Sequence, residues 1–134
     1  MASMEMAYKM YLAGFSCGQI VATCCSEVCN FDEKIGRAAL GGFGGGMHQG
    51  ENCSAVIGAV VSLGLYCNHS EYNDQVAKEK IKEMTLEFTK RFKNEYGSLT
   101  CRELMTGDLH RCGGFIDFAE KTVKELVEAD KAKP

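Results

Sequence analysis

Three of the eight cysteines in the chain follow directly after a residue type that begins α-helices. The pairs are Ser16 and Cys17, Asn52 and Cys53, and Thr100 and Cys101. Ser, Asn and Thr at an N-cap accept hydrogen bonds from first-turn N–H groups, so each of these cysteines is predicted to lie in the first turn of a helix. Cys112 is predicted to open a fourth helix, although no Ser, Thr, Asn or Asp stands directly before it.

A helix start favours the thiolate form of cysteine. Its unpaired N–H groups and the positive end of its peptide dipoles stabilise negative charge, and they can lower a thiol pKa from about 8.5 to roughly 3.5–7.5. The thiolate is the form that binds metals and attacks disulfides. If the four helix starts converge, a metal cation, an iron–sulfur cluster or disulfide bonding is needed to offset the repulsion among four thiolates.

The elements that must position these cysteines are predicted to be helices only. The single proline is the last residue, and alternating β-branched patterns are scarce. We expect an all-α bundle of about six or seven helices around a central apolar helix at about 53–66. The other helices are expected at about 4–13, 16–29, 32–41, 73–96, 100–105 and 112–131. Capping boxes are predicted for Ser16 with Gln19 and for Thr100 with Glu103.

The inward face of each helix follows from its apolar periodicity. Helix 4–13 is expected to bury Met6, Met10 and Leu12; helix 73–96 to bury Val76, Ile81, Met84, Phe88 and Phe92; and the last helix to bury Phe115, Phe118, Ala119, Thr122, Val123 and Leu126. The central helix has small residues three or four apart, at Ala55, Gly58, Ala59 and Ser62. These residues would let neighbouring helices approach closely.

Composition excludes several classes of protein. With 134 residues the chain is long enough for one domain, 1–134, with a core of its own. A net charge of −3 and no basic block longer than a pair argue against binding to nucleic acid or anionic membranes. The longest apolar run is too short to span a bilayer, and no signal pattern opens the chain. We therefore expect a soluble, cytoplasmic protein with unpaired thiols; its oligomeric state is left open.

The other four cysteines favour a structural interpretation. Cys24, Cys25, Cys29 and Cys67 fall inside helices or at their ends, where cysteine behaves as a small buried hydrophobe. Cys25 and Cys29 are four residues apart and can share a helix face, so an accessory thiol pair is the alternative for these two.

The glycine-dense loop "GGFGGGMHQG" is expected to bring backbone close to a cofactor or a neighbouring helix, and plain flexibility is the alternative. Its glycine spacing does not match a dinucleotide fingerprint, and it lacks the Lys-Ser/Thr of a phosphate loop. Gly44, Gly45, Gly46 and His48 are therefore candidate cofactor-binding residues. His48 and His110 are candidate ligands or proton donors beside the cysteines, and a surface histidine is the alternative for each. Arg102 can favour the Cys101 thiolate or be solvated.

The four helix-start cysteines and their neighbours resemble a known family. "GFSCGQIV", "ALGGFGGGMHQGENCSAVIG", "YGSLTCREL" and "HRCGGFIDFA" are similar to the redox-active proteins named for their C_GCAxxG_C_C cysteine signature. The resemblance runs from about Phe15 to Phe118 and makes Cys17, Cys53, Cys101 and Cys112 the signature cysteines. Ser54 stands where a small, glycine-like residue is usual in the family. It implies an all-helical fold and a redox or metal-binding role. No C-x-x-C-H is present, so no covalent haem is expected, and no NAD.

Three hypotheses for the function remain. In the first, Cys17, Cys53, Cys101 and Cys112 bind an iron–sulfur cluster or another metal such as zinc, for electron transfer with a redox partner protein or for redox sensing. In the second, the same cysteines perform thiol–disulfide chemistry, as in an oxidoreductase. In the third, the chain is a helical interaction module whose cysteines only pack.

Overall fold

The protein is all-α. A computed structural model describes residues 2–104 and 109–134, without the side chains of 2–4 and 109–111. Within those residues the chain forms seven α-helices, with a 3-10 turn (Gly41–Phe43) and a π-turn (Gly46–Gly50) between the third and fourth. The α-helices are α1 (Ala2–Leu12), α2 (Cys17–Cys29), α3 (Glu33–Ala39), α4 (Ser54–Cys67), α5 (Gln75–Tyr96), α6 (Cys101–Leu104) and α7 (Leu109–Lys131). None of these is long and apolar enough to cross a bilayer.

Helices α2 and α4 form the centre of the fold, and they cross with almost no side chain between them. A Cβ atom added to Gly58 would lie 2.5 Å from the Gly18 carbonyl oxygen and 2.8 Å from the Gly18 Cα. The Gly18 N–H donates to Ser54 Oγ at 2.8 Å, which fixes the position of one helix along the other. The predicted close approach at the small residues of α4 is thus confirmed, and it joins the starts of these two helices.

Several of the predicted helix ends are confirmed. The Ser16 N–H donates to Gln19 Oε1 at 2.9 Å, Asp32 Oδ1 accepts from the Lys34 N–H, and Gly97 ends α5 with a φ of +85°. The capping residue of α5 is Asp74, whose side chain accepts from the Ala77 N–H at 3.0 Å.

Two helix starts differ from the prediction at the cysteines themselves. Cys53 occupies the N-cap position of α4, before its first residue Ser54, so the expectation that Asn52 caps this helix was wrong. Asn52 instead forms a bridge to Thr100. Helix α7 begins at Leu109, which makes Cys112 its fourth residue rather than its first.

Some predicted core residues are exposed because a smaller neighbour faces inward. On α1, Met6 and Leu12 are 39% and 67% exposed, and Ala7 is buried against the rest of the fold. On α5, Val76 is 78% exposed and Ala77 is buried. At about 100° per residue, Ala77 projects close to the direction of Met84, whereas Val76 projects about 80° away from it. On α7, Ile116, Glu120 and Val127 join the predicted buried face.

An aromatic cluster fixes the start of α7 against the end of α5. Phe92 and Tyr96 of α5 pack on Phe115 and Phe118 of α7, and the Tyr96 and Phe115 ring centroids are 4.7 Å apart. The Tyr96 hydroxyl also donates to the Gly114 carbonyl at 3.2 Å. Since Cys112 lies one helical turn before Phe115, this cluster also determines where Cys112 lies.

Replacement of Gly58 by alanine is expected to destabilise the fold. The added methyl group meets backbone atoms of Gly18 that cannot move away without separating α2 from α4, and overpacking of this kind costs about 1–3 kcal/mol. Gly64→Ala is the matched control on the same helix, because a Cβ atom added at Gly64 would have nothing within 4 Å of it. Alanine there is expected to be neutral or stabilising by up to about 1 kcal/mol. Urea unfolding measures both, and equal effects would contradict the close crossing.

Candidate functional site

The four predicted site cysteines line one cavity. Cys17 comes from the start of α2, Cys53 from the cap of α4, Cys101 from the start of α6 and Cys112 from the first turns of α7. The cavity has a volume of about 530 Å³, and its wall also includes Tyr11, Phe15, Leu104 and Phe115. Four separate helices thus bring their cysteines to one cavity, which is the condition that the metal and disulfide hypotheses require.

A short antiparallel bridge holds Cys53 and Cys101 near each other. Asn52 pairs with Thr100, the Cys53 N–H donates to the Leu99 carbonyl at 2.7 Å, and the Cys101 N–H donates to the Glu51 carbonyl at 2.6 Å. These bonds join the segment before α4 to the segment before α6. The same backbone hydrogen bonds therefore fix the positions of both cysteines.

Cys17 and Cys112 interact directly within the group of four thiols. The Cys17 side chain is hydrogen bonded to the Cys112 side chain, and Cys53 and Cys101 are near enough to act on Cys17 electrostatically. Cys17 is placed by the crossing of α2 and α4, and Cys112 by the aromatic cluster at the start of α7. Two independent packing interactions therefore bring these two sulfur atoms together.

The glycine loop forms a left-handed turn that reaches the cavity. Gly45, Gly46, Met47 and His48 all have φ values of +58° to +65°, and the Glu51 N–H donates to the Gly46 carbonyl at 2.9 Å. This conformation costs a non-glycine residue roughly 1–2 kcal/mol. It places Gly44, Gly45 and His48 on the cavity wall.

Gly46 does not line the cavity but packs against Cys101, which does. A Cβ atom at this position would lie 2.5 Å from the Glu51 carbonyl oxygen and 2.9 Å from the Cys101 Cβ. Only glycine therefore allows the loop to pack this closely on the cysteine. The predicted close approach of backbone is therefore confirmed for Gly46, whereas a Cβ atom added at Gly45 would have nothing within 4 Å of it.

Three further polar side chains stand close to cysteines in the sequence, those of Arg102, His69 and His110. The Arg102 guanidinium donates to the Gln49 carbonyl at 2.8 Å, so it ties α6 to the glycine loop and does not line the cavity. His69 is exposed in the turn after α4. The side chain of His110 lies outside the described residues.

The predicted low thiol pKa values are not found, because burial and neighbouring thiols act against the helix dipoles. The hydrogen bond between Cys17 and Cys112, followed by burial and the charges of the other three thiols, raises the pKa of Cys17 well above its usual range. Burial raises the pKa of Cys53 even though the N–H groups of Val56 and Ala55 lower it. Burial, and then Cys112, raise the pKa of Cys101. With no Lys or Arg among the described residues of the cavity wall, these thiols are expected to be protonated at neutral pH.

The other cysteines lie away from the cavity, as the structural interpretation predicts. Cys25 and Cys29 are buried in the core on α2, and the Cys67 Sγ contacts the Met84 Sδ at 3.6 Å. Burial, and then Glu120, raise the pKa of Cys24 to about 12. Glu120 is itself buried, and its Oε1 accepts from Lys124 Nζ at 2.7 Å.

The spacing of the donor atoms is wider than a single metal ion requires. Among the described residues, no three His, Cys, Asp or Glu side chains are grouped closely enough to hold one ion. Four thiols nevertheless face a common cavity. The arrangement provides the Cys₄ donor set used by iron–sulfur clusters, in which several iron atoms share the ligands.

The chain was compared with known proteins. Residues 15–126 match the model of the family described as "Putative redox-active protein (C_GCAxxG_C_C)". The chain belongs to this family. No curated protein matches it, and no solved structure does either.

The apolar part of the C_GCAxxG_C_C site was not predicted from the sequence. Phe15 and Phe115 stand close to signature cysteines in sequence, two residues before Cys17 and three after Cys112. This proximity in sequence indicates that each phenylalanine lies in the same cavity wall as its neighbouring cysteine. Tyr11 and Leu104 gave no such signal, because only the packing of α1 and α6 brings them to the cavity.

The raised pKa values predict how stability depends on pH in the reduced, metal-free protein. The folded state holds these thiol protons more tightly than the unfolded state, so stability is full below the ordinary thiol pKa of about 8.5 and is lost as the pH rises toward the higher folded values. Urea unfolding between about pH 7 and pH 10, with chelator and reductant, should show this loss.

Cys17→Ser is expected to lose less stability over the same pH range. The buried thiols of Cys25 and Cys29 contribute equally to both proteins, so the difference between them isolates Cys17. A stability that stays constant or rises with pH would contradict the raised pKa values.

Proposed function

We propose that this protein carries an iron–sulfur cluster on Cys17, Cys53, Cys101 and Cys112 and acts in electron transfer or redox sensing. The observation that carries the proposal is the convergence of four cysteines from four separate helices on one cavity. Membership of a family described as redox-active supports the same class of function. When bound, such a cluster would take up and release electrons.

The charges expected in the cavity favour the binding of iron cations. Four thiolates in one cavity repel each other, and burial is the largest cause of the raised pKa values of Cys53 and Cys101. Positive charge from iron would offset both effects, as metal ligation deprotonates thiols outright. The starts of α2 and α4 contribute partial positive charge near the same point, which suits a centre that remains negative overall once four thiolates are bound.

The spacing supports a cluster more than a single zinc ion. Structural zinc takes four ligands at about 2.0–2.3 Å from one point, and the described donors are not grouped that tightly. A cluster distributes its thiolates over more than one iron, and the cavity has about 530 Å³ for it. Gly44 and Gly45 would let backbone lie directly against such a group.

Anaerobic purification, or reconstitution with iron and sulfide, tests the proposal. The wild-type protein is expected to hold iron and acid-labile sulfide and to absorb visible light. Each of Cys17→Ser, Cys53→Ser, Cys101→Ser and Cys112→Ser is expected to lose most of the iron. Cys67→Ala is the matched control, because this thiol lies at the far end of α4 from Cys53 and should leave the iron content unchanged. A colourless, iron-free wild-type protein, or equal iron loss in the control, would contradict the proposal.

A second candidate function is thiol–disulfide exchange through Cys17 and Cys112. The hydrogen bond between these two thiols favours it, since two sulfur atoms already in contact need little movement to form a disulfide. The other thiols would then modulate the pair electrostatically. The absence of a C-x-x-C pair in the sequence shows that any such dithiol is assembled by the fold.

Redox titration of the metal-free protein against oxidised and reduced dithiothreitol tests this second candidate. Peptide mapping by mass spectrometry is expected to find a Cys17–Cys112 disulfide first. In Cys112→Ser, Cys17 is expected to remain a thiol or form a mixed disulfide with the reagent. Preferential pairing of Cys25 with Cys29, or no disulfide at all, would count against the candidate.

A further inference from the structure

We propose that the four-cysteine cavity admits small uncharged molecules with an apolar body in preference to charged ones, so that the low-molecular-weight oxidant reaching its thiols is a neutral organic disulfide. The proposal deepens the proposed redox function, because it names the class of molecule that can reach the same cysteines. The size of the cavity, the residues of its wall and the hydrogen bonds already made around it carry the proposal.

The cavity has the size of a small-molecule site. Ligand pockets in proteins measure about 300–1,000 Å³, and this one measures about 530 Å³. Its wall combines aromatic and aliphatic groups with a few polar ones, which is the usual composition of such sites. Tyr11, Phe15, Leu104 and Phe115 provide apolar surface, and His48 and Ser16 provide polar atoms.

The wall offers little to compensate a charged ligand. Among its described residues there is no Asp, Glu, Lys or Arg. Among the described residues, the Arg102 guanidinium donates to the Gln49 carbonyl, and the Arg37 guanidinium lies over the Phe15 ring and donates to Thr23 Oγ1. Neither of these two arginines lines the cavity. A charged molecule would therefore lose its hydration without gaining an ionic partner, which is costly in an apolar environment.

The helix starts do not remove this penalty for anions, because several of their N–H donors already have partners. The Ser16 N–H is bound by Gln19 Oε1 and the Gly18 N–H by Ser54 Oγ. The N–H groups of Ala55 and Val56 act on the Cys53 thiol. An anionic ligand would compete with these groups for the same donors.

The reaction that follows is an ordinary two-step exchange. One cavity thiol attacks the probe disulfide RS–SR, forms a mixed disulfide and releases RS⁻, which takes up the thiol proton as RSH. The second thiol of the Cys17–Cys112 pair attacks the mixed disulfide and releases the second RSH. The protein is oxidised by two electrons to one disulfide, and the probe is reduced to two thiols.

Three probe disulfides of similar size and different charge test the selectivity. They are 2-hydroxyethyl disulfide, which is neutral, 3,3′-dithiodipropionate, which is a dianion, and cystamine, which is a dication. The rate of modification at Cys17 is measured by mass spectrometry in the reduced, metal-free full chain. It is divided by the rate at Cys17 in the chain unfolded by urea, so that differences in the intrinsic reactivity of the three disulfides cancel. The normalised rate for the neutral probe is expected to exceed each of the others by at least about tenfold.

Tyr11→Lys should change this preference, and Tyr8→Lys is its matched control. Both tyrosines are exposed on α1, at 45% and 64%, but only Tyr11 lines the cavity. A lysine at position 11 supplies the missing cation, so it is expected to raise the relative rate of the dianion several-fold, and the Tyr8 variant is expected to leave it unchanged. Equal normalised rates for all three probes, or equal shifts in the two variants, would overturn the proposal.

A second pair of reagents separates this proposal from the redox role. Iodoacetamide and iodoacetate have nearly the same size and alkylate cysteine by displacing iodide, but only iodoacetate is charged. The neutral reagent should again be preferred at Cys17 after normalisation to the unfolded chain. If it is preferred and no Cys17–Cys112 disulfide forms, the exchange function fails and the selectivity stands. If neither reagent is preferred, the selectivity fails and the test for iron is unaffected.

Discussion

The contact on which the site depends is the crossing of α2 and α4 at two glycines. Gly18 and Gly58 lie so close that a single methyl group on either would meet the backbone or a side chain of the other helix. The hydrogen bond from the Gly18 N–H to Ser54 Oγ then fixes how far one helix slides along the other. Because Cys17 and Cys53 lie at the starts of these helices, this crossing sets their relative position before any other element is considered.

Two further contacts complete the set of four cysteines, and they are of different kinds. The backbone bridge between Asn52 and Thr100 brings in Cys101, and the aromatic packing of Tyr96 on Phe115 brings in Cys112. The cavity thus depends on helix packing, a strand-like bridge and ring contacts that are distant in sequence. Loss of any one is expected to separate one sulfur atom from the others while the rest of the core remains.

Sequence reasoning succeeded where a feature depends on neighbouring residues and failed where it depends on distant ones. The interaction of Ser16 with Gln19 and the end of α5 at Gly97 follow from local chemistry, and the structure confirms both. The role of Cys53 as the cap residue depends on the pairing of its own N–H with Leu99, 46 residues away in the chain. The left-handed turn that places His48 at the cavity likewise needs Glu51 and Cys101 packed against Gly46.

Burial shifts the thiol pKa values in the direction opposite to that expected from the helix starts, and this bears on the redox role proposed for the cavity. The helix dipole does act, since N–H groups of α4 lower the pKa of Cys53, but burial outweighs it. A thiol that stays protonated is a poor nucleophile and a poor ligand, so the reactivity of these four groups depends on whatever removes their protons. Binding of a cluster and formation of a disulfide both do so, and both would join elements that are distant in the chain. Because a bound cluster would stabilise the folded arrangement and a disulfide would restrict the unfolded chain, the redox state of the cysteines and the stability of the bundle are expected to change together.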